Sequence, residues 1–341
     1  MLCVFGAGFG TCRAGEWKCF QALYSLPMKT SAPSRHAKTL AMASLLAAAL
    51  VVMPTQVRAG TAAVAPTVES PAPSPFHALL KLDVSSDYIT PRGLHVENQG
   101  LVFQPLFLLF TNLYSNPDGL LNDVTLTLGV WSSIHTHQSG RDAGNWNEFD
   151  PIAGIAFKFA DYWKFEINYT AFESMTRSYQ TSQHLEAKLS FADGLMTGNK
   201  VFSINPYLAF WKELRNKATV VFNPANEQTS YYFTVGMTPT IDLTTVKFEF
   251  PTFINIVGES FYQKADGTAG GSGLAIFRTG VQASIPLNFM PKYMGSWSLY
   301  AGVKYYHLNN PGVLDGNVAL GADGDRKRNL FQFHGGVSIF F

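Results

Sequence analysis

The chain has 341 residues, of which 47% are hydrophobic, 14% are aromatic and only 14% are charged. Its 25 lysines and arginines nearly balance its 24 acidic residues, and this balance lacks the basic excess typical of nucleic-acid-binding proteins. The three cysteines stand at positions 3, 12 and 19, so the rest of the chain has no thiol for a disulfide framework or a cysteine-ligated zinc site.

The amino-terminal 59 residues are predicted to be absent from the working protein. Residues 28–59 have the layout of a secretory signal, with basic residues at Lys29, Arg35 and Lys38, an apolar stretch over 40–53 and small residues before position 60. Since that stretch is shorter than the about 20 residues of a membrane helix, it is interpreted as a cleaved signal. Residues 1–27 are then upstream sequence translated from too early a start, or else part of a long leader.

The next segment, 60–77, is small, rich in proline and nearly uncharged. It offers little surface to bury and is predicted to be an extended tether on the periplasmic side. A plug segment is the alternative interpretation.

Residues 78–341 alternate between apolar and polar residues and contain no apolar run long enough for a membrane helix. In 162–172, for example, Trp163, Phe165 and Ile167 alternate with Lys164 and Glu166. Lipid contacts only every second residue of a barrel strand, so a barrel can have a high apolar content without long apolar runs. The pattern therefore indicates an all-β fold, a transmembrane antiparallel up-and-down β-barrel of about twelve strands. The predicted strands are 78–88, 100–113, 121–134, 150–160, 162–172, 183–192, 201–211, 229–238, 243–257, 274–286, 297–308 and 329–341.

The predicted connections alternate between longer and shorter ones along the chain. With both barrel ends in the periplasm, alternate connections face outward and are expected to be long. The outer set is 89–99, 135–149, 173–182, 212–228, 258–273 and 309–328. The inner set is 114–120, a reversal near 160–161, 193–200, 239–242 and 287–296. A soluble sandwich has no reason to show this difference.

Aromatic residues cluster near the predicted strand ends, where interfacial girdles are expected. They are Tyr114, Trp131, Trp146, Tyr162, Trp163, Trp211, Tyr231, Tyr232 and Trp297.

The carboxyl terminus strengthens the barrel interpretation. Residues 329–341 place alternate apolar side chains on one face and end on the aromatic Phe341, which is expected to serve as the assembly signal. A soluble sandwich strand is the alternative. The predicted location is the cell outer membrane, and the expected partners are outer-membrane lipid, lipopolysaccharide and the barrel-assembly machinery. The basic residues 326–328 are candidates for contact with lipopolysaccharide phosphates.

The stretch Ser86-Asp87-Tyr88-Ile89-Thr90-Pro91-Arg92-Gly93 resembles the SDYxxRG motif of a family of bacterial outer-membrane barrels described as porins. Three residues separate Tyr88 from Arg92 here, where the family pattern has two. The resemblance extends over most of 80–341 and implies an outer-membrane pore, without a substrate. Asp87 and Arg92 are expected to pair where the first strand meets its loop, in a structural or a pore-lining role, and Gly93 permits a sharp bend.

Functional candidates lie on the predicted inner face of the strands. These pore-lining candidates are Lys81, Asp83, Asp87, Lys164, Glu166, Glu186, Lys188, Lys247, Glu249, Arg278 and Lys304. Their charges nearly cancel and are expected to pair across neighbouring strands, which favours weak ion selectivity or an occluded interior. The sequence therefore predicts a porin that passes small polar solutes. The alternative is a non-conducting barrel that binds a partner or stabilises the envelope.

No catalytic motif and no cofactor or metal site is predicted. His135 and His137 share a face but have no identifiable third ligand, and Asp323-Gly324-Asp325 lacks the spaced ligands of a calcium loop. The protein is not expected to be an enzyme.

Overall fold

Seventeen strands form in the part of the chain that the computed structural model describes, residues 74–137, 145–321 and 326–341. Predictions for 1–59, for most of the tether and for Asp323-Gly324-Asp325 lie outside these residues. The strands are β1 (Phe76–Ser85), β2 (Tyr88–Ile89), β3 (His95–Glu97), β4 (Val102–Ser115), β5 (Leu121–His135), β6 (Trp146–Phe159), β7 (Trp163–Ser174), β8 (Ser182–Phe191), β9 (Phe202–Ser203), β10 (Pro206–Arg215), β11 (Tyr231–Met237), β12 (Thr240–Asp242), β13 (Lys247–Glu249), β14 (Thr252–Val257), β15 (Gly273–Pro286), β16 (Ser296–Leu308) and β17 (Asn329–Phe340).

The strands form a closed antiparallel barrel. Its wall follows the order β1-β4-β5-β6-β7-β8-β10-β11-β14-β15-β16-β17, and β17 returns to pair with β1. The short strands β9, β12 and β13 extend β10, β11 and β14 at the inner end, so the wall has twelve spanning strands. The predicted fold class and strand number are confirmed. Strand β1 begins at Phe76, two residues before the predicted start of the barrel.

Closure satisfies the backbone of every spanning strand, which is the condition for β-structure in a bilayer. No helix among the described residues is long and apolar enough to cross a membrane. The described helices are a short one at Asp193–Thr197, a loop helix at Pro311–Leu320 and single 3₁₀ turns at Pro224–Asn226 and Lys292–Met294.

The outer surface of the wall is apolar. Leu128 at the middle of β5 is 47% exposed, Leu208 on β10 is 56% exposed, and Phe233 on β11 is 47% exposed. Exposed large apolar side chains in this number are rare on water-soluble proteins, and they match a lipid-facing band. The closed wall and this band make the protein a β-barrel of the outer membrane.

Two prolines interrupt the wall at one level. Pro239 separates β11 from β12, and Pro251 separates β13 from β14, because proline cannot donate to the ladder. The backbone then reverses at 243–246, where Thr244 has a φ of 70°. The sequence predicted this inner turn at 239–242. The prediction is wrong, because the short strand β12 occupies Thr240–Asp242 and the turn follows it. The four longest connections are all at the opposite end, as predicted.

The hydrophobic core lies inside the outer end of the barrel rather than along its whole length. It combines wall residues such as Ile276 and Leu308 with residues of the outer loops. The loops contribute Ile89, Leu94, Phe261, Tyr262, Val313 and Leu314. The outer connections thus fold inward and pack as a closure across the barrel, and this closure positions the candidate site.

Candidate functional site

The strand register places the predicted pore-lining side chains on the inner face. Asp83 faces Gln104 and Gly336 across its two neighbours, and Tyr300 donates a hydrogen bond to Asp83 at 2.7 Å. The same parity, followed from strand to strand, places nine others on this face, namely Lys81, Lys164, Glu166, Glu186, Lys188, Lys247, Glu249, Arg278 and Lys304. Asp87 lies beyond the end of β1.

Two ion pairs of the interior run along single strands, while Lys158 pairs across strands with Asp123 on β5 at 3.9 Å. Lys164 Nζ lies 2.7 Å from Glu166 Oε1, and Lys247 Nζ lies 2.7 Å from Glu249 Oε1. Each pair is two residues apart on one strand, so both side chains point inward side by side. The expectation of cross-strand pairing is wrong for these groups. The lysine side chains remain 41% and 42% exposed, which shows that solvent reaches the inner half of the interior.

Arg278 and Lys304, two neighbouring interior cations, form no direct ion pair within the described parts of the chain. Arg278 lies over aromatic rings, with its guanidinium carbon 5.2 Å from the Phe253 centroid and 5.6 Å from the Tyr306 centroid. Lys304 is on the next strand, two residues from Tyr306, which pairs with Arg278. The interior thus carries a local cationic strip between the solvent-filled inner half and the closure.

The segment that resembles the family motif forms a hairpin that points into the barrel. We refer to residues 88–97 as the inward hairpin. Strands β2 and β3 flank a turn in which Gly93 N donates to Thr90 O at 2.9 Å. Pro91 occupies the second position of this turn, where its fixed φ is favourable, and Arg92 occupies the third. The sequence therefore places Arg92 at the tip of the hairpin.

Gly93 is required by both space and backbone conformation. Its φ is +77°, in the left-handed region. A Cβ atom there would lie 2.7 Å from Leu308 Cδ2 and 2.9 Å from Ile276 Cδ1. Any larger residue would strain the turn and push the hairpin away from the wall. The predicted bend at Gly93 therefore also brings the hairpin into contact with β15 and β16.

Directed hydrogen bonds hold the hairpin tip. Asn317 on the loop helix accepts from His95 N at 2.9 Å and donates to Gly93 O at 3.1 Å. Tyr262 donates its hydroxyl proton to Arg92 O at 2.7 Å, and burial raises the pKa of this tyrosine. Asn255 on β14 donates to Pro91 O at 3.0 Å. These contacts fix the position of the tip relative to the wall and the loop helix.

Asp87 and Arg92 do not pair as predicted. Asp87 accepts from Ser86 Oγ and lies 3.1 Å from His95 Nε2 within the same segment. Tyr88 donates to Glu148 Oε2 at 2.5 Å, which ties the base of the hairpin to β6. The motif residues Ser86, Asp87 and Tyr88 therefore anchor the hairpin, and Arg92 is carried away from them by the turn.

Arg92 lies over a row of stacked rings on the inner wall. Its guanidinium carbon is 4.3 Å from the Phe172 centroid and 5.5 Å from that of Trp211. His184 stacks between these rings, 4.1 Å from Phe172 and 4.3 Å from Trp211. Tyr232 continues the row 4.9 Å from Trp211. Stacking of this kind suits a guanidinium, which is weakly hydrated and planar.

The predicted aromatic girdle is wrong for two residues of this row. Trp211 and Tyr232 point inward and are 6% and 5% exposed, whereas Trp146 and Tyr231 are 47% and 41% exposed. Glu213 has the same parity as Trp211 on β10, and a charged residue belongs on the inner face. The parity that Trp211 shares with Glu213 could therefore have predicted that this ring points inward. The same signal was available for His184, which shares the parity of Glu186 and Lys188 on β8, and for Phe172, which shares that of Glu166 on β7.

The loop over 216–230 is anchored by a buried ion pair. Lys217 Nζ lies 3.0 Å from Glu213 Oε2 and donates to Ser260 O at 2.7 Å. Burial lowers the pKa of Lys217, and the adjacent Glu213 carboxylate opposes that shift. Glu213 also accepts from the backbone N–H groups of Ala218 and Ser230. Both ends of this loop are thereby tied to the rim of the barrel.

The other candidate residues are separate from this site. His135 is buried beside Tyr88, Ser133 and Glu97, whereas His137 is exposed. No cluster of three metal-ligating side chains occurs among the residues described. Arg326 pairs with Asp315 of the loop helix at 3.1 Å. Chemically, the interior offers charged side chains, stacked rings and a buried guanidinium, which together suit recognition of a polar solute.

Comparison with known proteins gives similarity at the level of architecture. No family model matches the sequence, and no curated protein matches it. An outer-membrane channel from Pseudomonas putida F1 aligns with a TM-score of 0.44 and 9% identity, over 82% of this chain and all of the other (100%). The NanC porin aligns with a TM-score of 0.40 and 13% identity over 76% and 98% of the two chains. The translocator domain of the autotransporter NalP from Neisseria meningitidis gives 0.37 and 9% over 80% and 89%.

Proposed function

We propose that this barrel is an outer-membrane channel for small polar solutes, closed at its outer end by the inward hairpin and the loops that cover it. The observation that carries the proposal is the solvent-exposed charge inside the inner half of the wall. Lys164 and Lys247 point toward the barrel axis and are about two-fifths exposed. A barrel with only a structural role has no need for hydrated charged groups in its interior, since apolar packing would stabilise it more.

The closure is the second part of the proposal. Ile89, Leu94, Phe261 and Val313 pack together across the outer end. Solutes cross only when this packing opens. The closure depends on loop contacts and not on wall hydrogen bonds, so it can open while the barrel remains folded.

The apolar closure also favours the alternative function. A barrel whose closure never opens would be non-conducting and would act through its outer surface, as a structural or partner-binding protein. The two proposals differ in one measurable property, which is steady ionic current through the purified protein.

A disulfide across the closure tests the channel proposal. A Cβ atom at Gly316 on the loop helix would lie 3.6 Å from Val220 Cβ in the 216–230 loop, within the range of natural disulfides. We expect wild type to show steady openings in planar bilayers, and the double variant Val220→Cys/Gly316→Cys to conduct only under reducing conditions. The single variants are the controls, because the chain has only three other cysteines, all before residue 20.

Three outcomes are informative. Redox-dependent conductance of the double variant alone supports a channel gated by this closure. Equal conductance in both redox states, with the disulfide confirmed by mass spectrometry, would show that solutes do not pass the closure. A silent wild type in every condition would favour the non-conducting alternative.

A further inference from the structure

A cavity lies at the outer end of the barrel, beside the tip of the inward hairpin. Its volume is about 440 Å³, within the usual range for small-molecule sites. The hairpin contributes Leu94 and Val96, the 216–230 loop contributes Val220, and the loop helix contributes Leu320. The inner wall contributes Phe172. These side chains give the cavity a mainly apolar wall contributed by separate elements of the closure.

Arg92 supplies a positive charge to this apolar cavity. The residue is only 6% exposed, and its guanidinium forms no ion pair or hydrogen bond within the described parts of the chain. An arginine side chain is always charged in proteins. A buried charge without a direct ion pair is unfavourable, and aromatic stacking together with the more distant Asp150 carboxyl compensates only a part of this. The guanidinium is therefore available to a bound anion.

Polar atoms without partners gather around the same place. Buried atoms that lack a hydrogen-bond partner include Arg92 Nε, Asn147 Oδ1 and Ser182 Oγ, and all three residues line the cavity. Buried polar groups in folded proteins are almost always satisfied, so a concentration of exceptions indicates a place for a polar ligand group or water.

The neighbouring charges limit what else can fill the site. Lys217 is already paired with Glu213. Glu148 accepts from Tyr88, and Asp150 on the same face of β6 interacts electrostatically with Arg92 without forming an ion pair. If a dianion placed one charge on Arg92, its second charge would lie near these carboxylates and be repelled by them. A monocarboxylate has no second charge and avoids this repulsion. An apolar wall equally disfavours inorganic anions, which are strongly hydrated.

We propose that this cavity binds a small organic monocarboxylate, with its carboxylate on Arg92 and its apolar body against Leu94, Val96 and Val220. This assignment would give the proposed channel its substrate class at the outer entrance. Binding is nevertheless a property of the closed state and requires no conduction. Ser182 Oγ is positioned to donate a second hydrogen bond to the ligand.

The experiment measures binding of three probes to the purified full-length barrel by isothermal titration calorimetry. The probes are 3-phenylpropanoate, its uncharged amide, and acetate, which has the charge without the body. We expect 3-phenylpropanoate to bind at least about tenfold more tightly than either other probe, a preference of about 1.4 kcal/mol.

The variants separate the charge from the cavity. Arg92→Gln is expected to abolish the preference for the acid over the amide, and Val220→Trp, which fills the cavity, to abolish binding of both. Arg278→Gln is the matched control, since Arg278 is also an interior arginine that lies over aromatic rings and has an unpartnered Nε. It is expected to bind like wild type. Arg92→Lys, which retains a charge, should keep part of the preference.

The outcomes distinguish this inference from the channel proposal. Equal affinity for the acid and the amide, no binding of the acid at millimolar concentration, or an equal loss in the Arg92 and Arg278 variants would overturn the site. Barrel folding of each variant is checked by heat-modifiable gel mobility. A barrel that conducts but shows no acid preference would refute only the site, whereas a silent barrel that shows the preference would refute only the channel.

Discussion

Replacing Asn317 by alanine is expected to loosen the inward hairpin without harming the wall. Asn317 is 2% exposed and makes two hydrogen bonds to the hairpin, one with His95 N at 2.9 Å and one with Gly93 O at 3.1 Å. Removing the side chain leaves one buried donor and one buried acceptor without partners, at about 1–3 kcal/mol each. Alanine preserves the loop helix, because it has the highest helix propensity.

The expected magnitude follows from these two groups. Water entering the vacated space would compensate partly, which gives a net change of about 2–4 kcal/mol in favour of the displaced hairpin. At 1.4 kcal/mol for each factor of ten, the population of displaced hairpin rises roughly 30- to 700-fold. Most of this free-energy change should appear as displacement of the hairpin and not as unfolding of the barrel, since Asn317 takes no part in the hydrogen bonds of the wall.

Two assays measure the opening. Hydrogen exchange of the amides in 88–97 should accelerate in the variant, while exchange in β5 and β16 should not. If the barrel conducts, the open fraction in single-channel records should rise in parallel. Asn309→Ala is the control, because Asn309 stands just before the same helix but its side chain is exposed and donates only to Leu274 O at 3.1 Å. Exchange of the hairpin that is no faster than in this control would refute the reasoning.

Three further predictions test other parts of the structure. Ile167→Arg on the lipid face of β7 should destabilise the barrel by about 2–4 kcal/mol, and Asn168→Arg on the inner face by less, as measured by urea titration in bilayers; equal defects would contradict the alternation. Phe341→Asp should reduce the heat-modifiable folded fraction in membranes, and a normal yield would show that this residue is not needed for assembly. Replacing three interior cations by glutamine should leave the facing carboxylates unbalanced and shift the reversal potential in a salt gradient toward cation selectivity, whereas an unchanged potential in a conducting variant would show that these side chains do not line the path. The three cations are Lys164, Lys247 and Arg278.

The wall was predictable from the sequence because its determinants are local. Lipid on one side and solvent on the other impose a period of two on every strand, and a closed barrel has no other way to satisfy its backbone. The parity of Lys164 and Glu166, for example, already places both on the inner face. Only their pairing differs from the prediction, since Lys164 pairs with Glu166 on its own strand although Lys188 lies directly opposite Glu166 on β8.

The closure was not predictable because its contacts connect loops that are distant in sequence. Arg92 reaches Trp211, and Gly93 reaches both Ile276 and Asn317. A signal was nevertheless present. The outer loops contain pairs of large apolar residues such as Phe261-Tyr262, although loops at the membrane surface do not need them for lipid contact. Apolar loop residues of this kind indicate packing inside the barrel.

The wall and the closure are stabilised by different means, and this difference connects the two proposals. The wall is a continuous ladder of hydrogen bonds enclosed by lipid, so it opens only by unfolding. The hairpin tip is held by a few side-chain contacts and carries the charge of Arg92, which has no direct ion pair, into the closed state. A ligand can shift an equilibrium only by its differential affinity for the two states. A carboxylate bound to Arg92 would therefore stabilise the closed state, and opening would require either its release toward the interior or its displacement. The cationic strip formed by Arg278 and Lys304 lies below the closure, where an acid released inward would next meet positive charge.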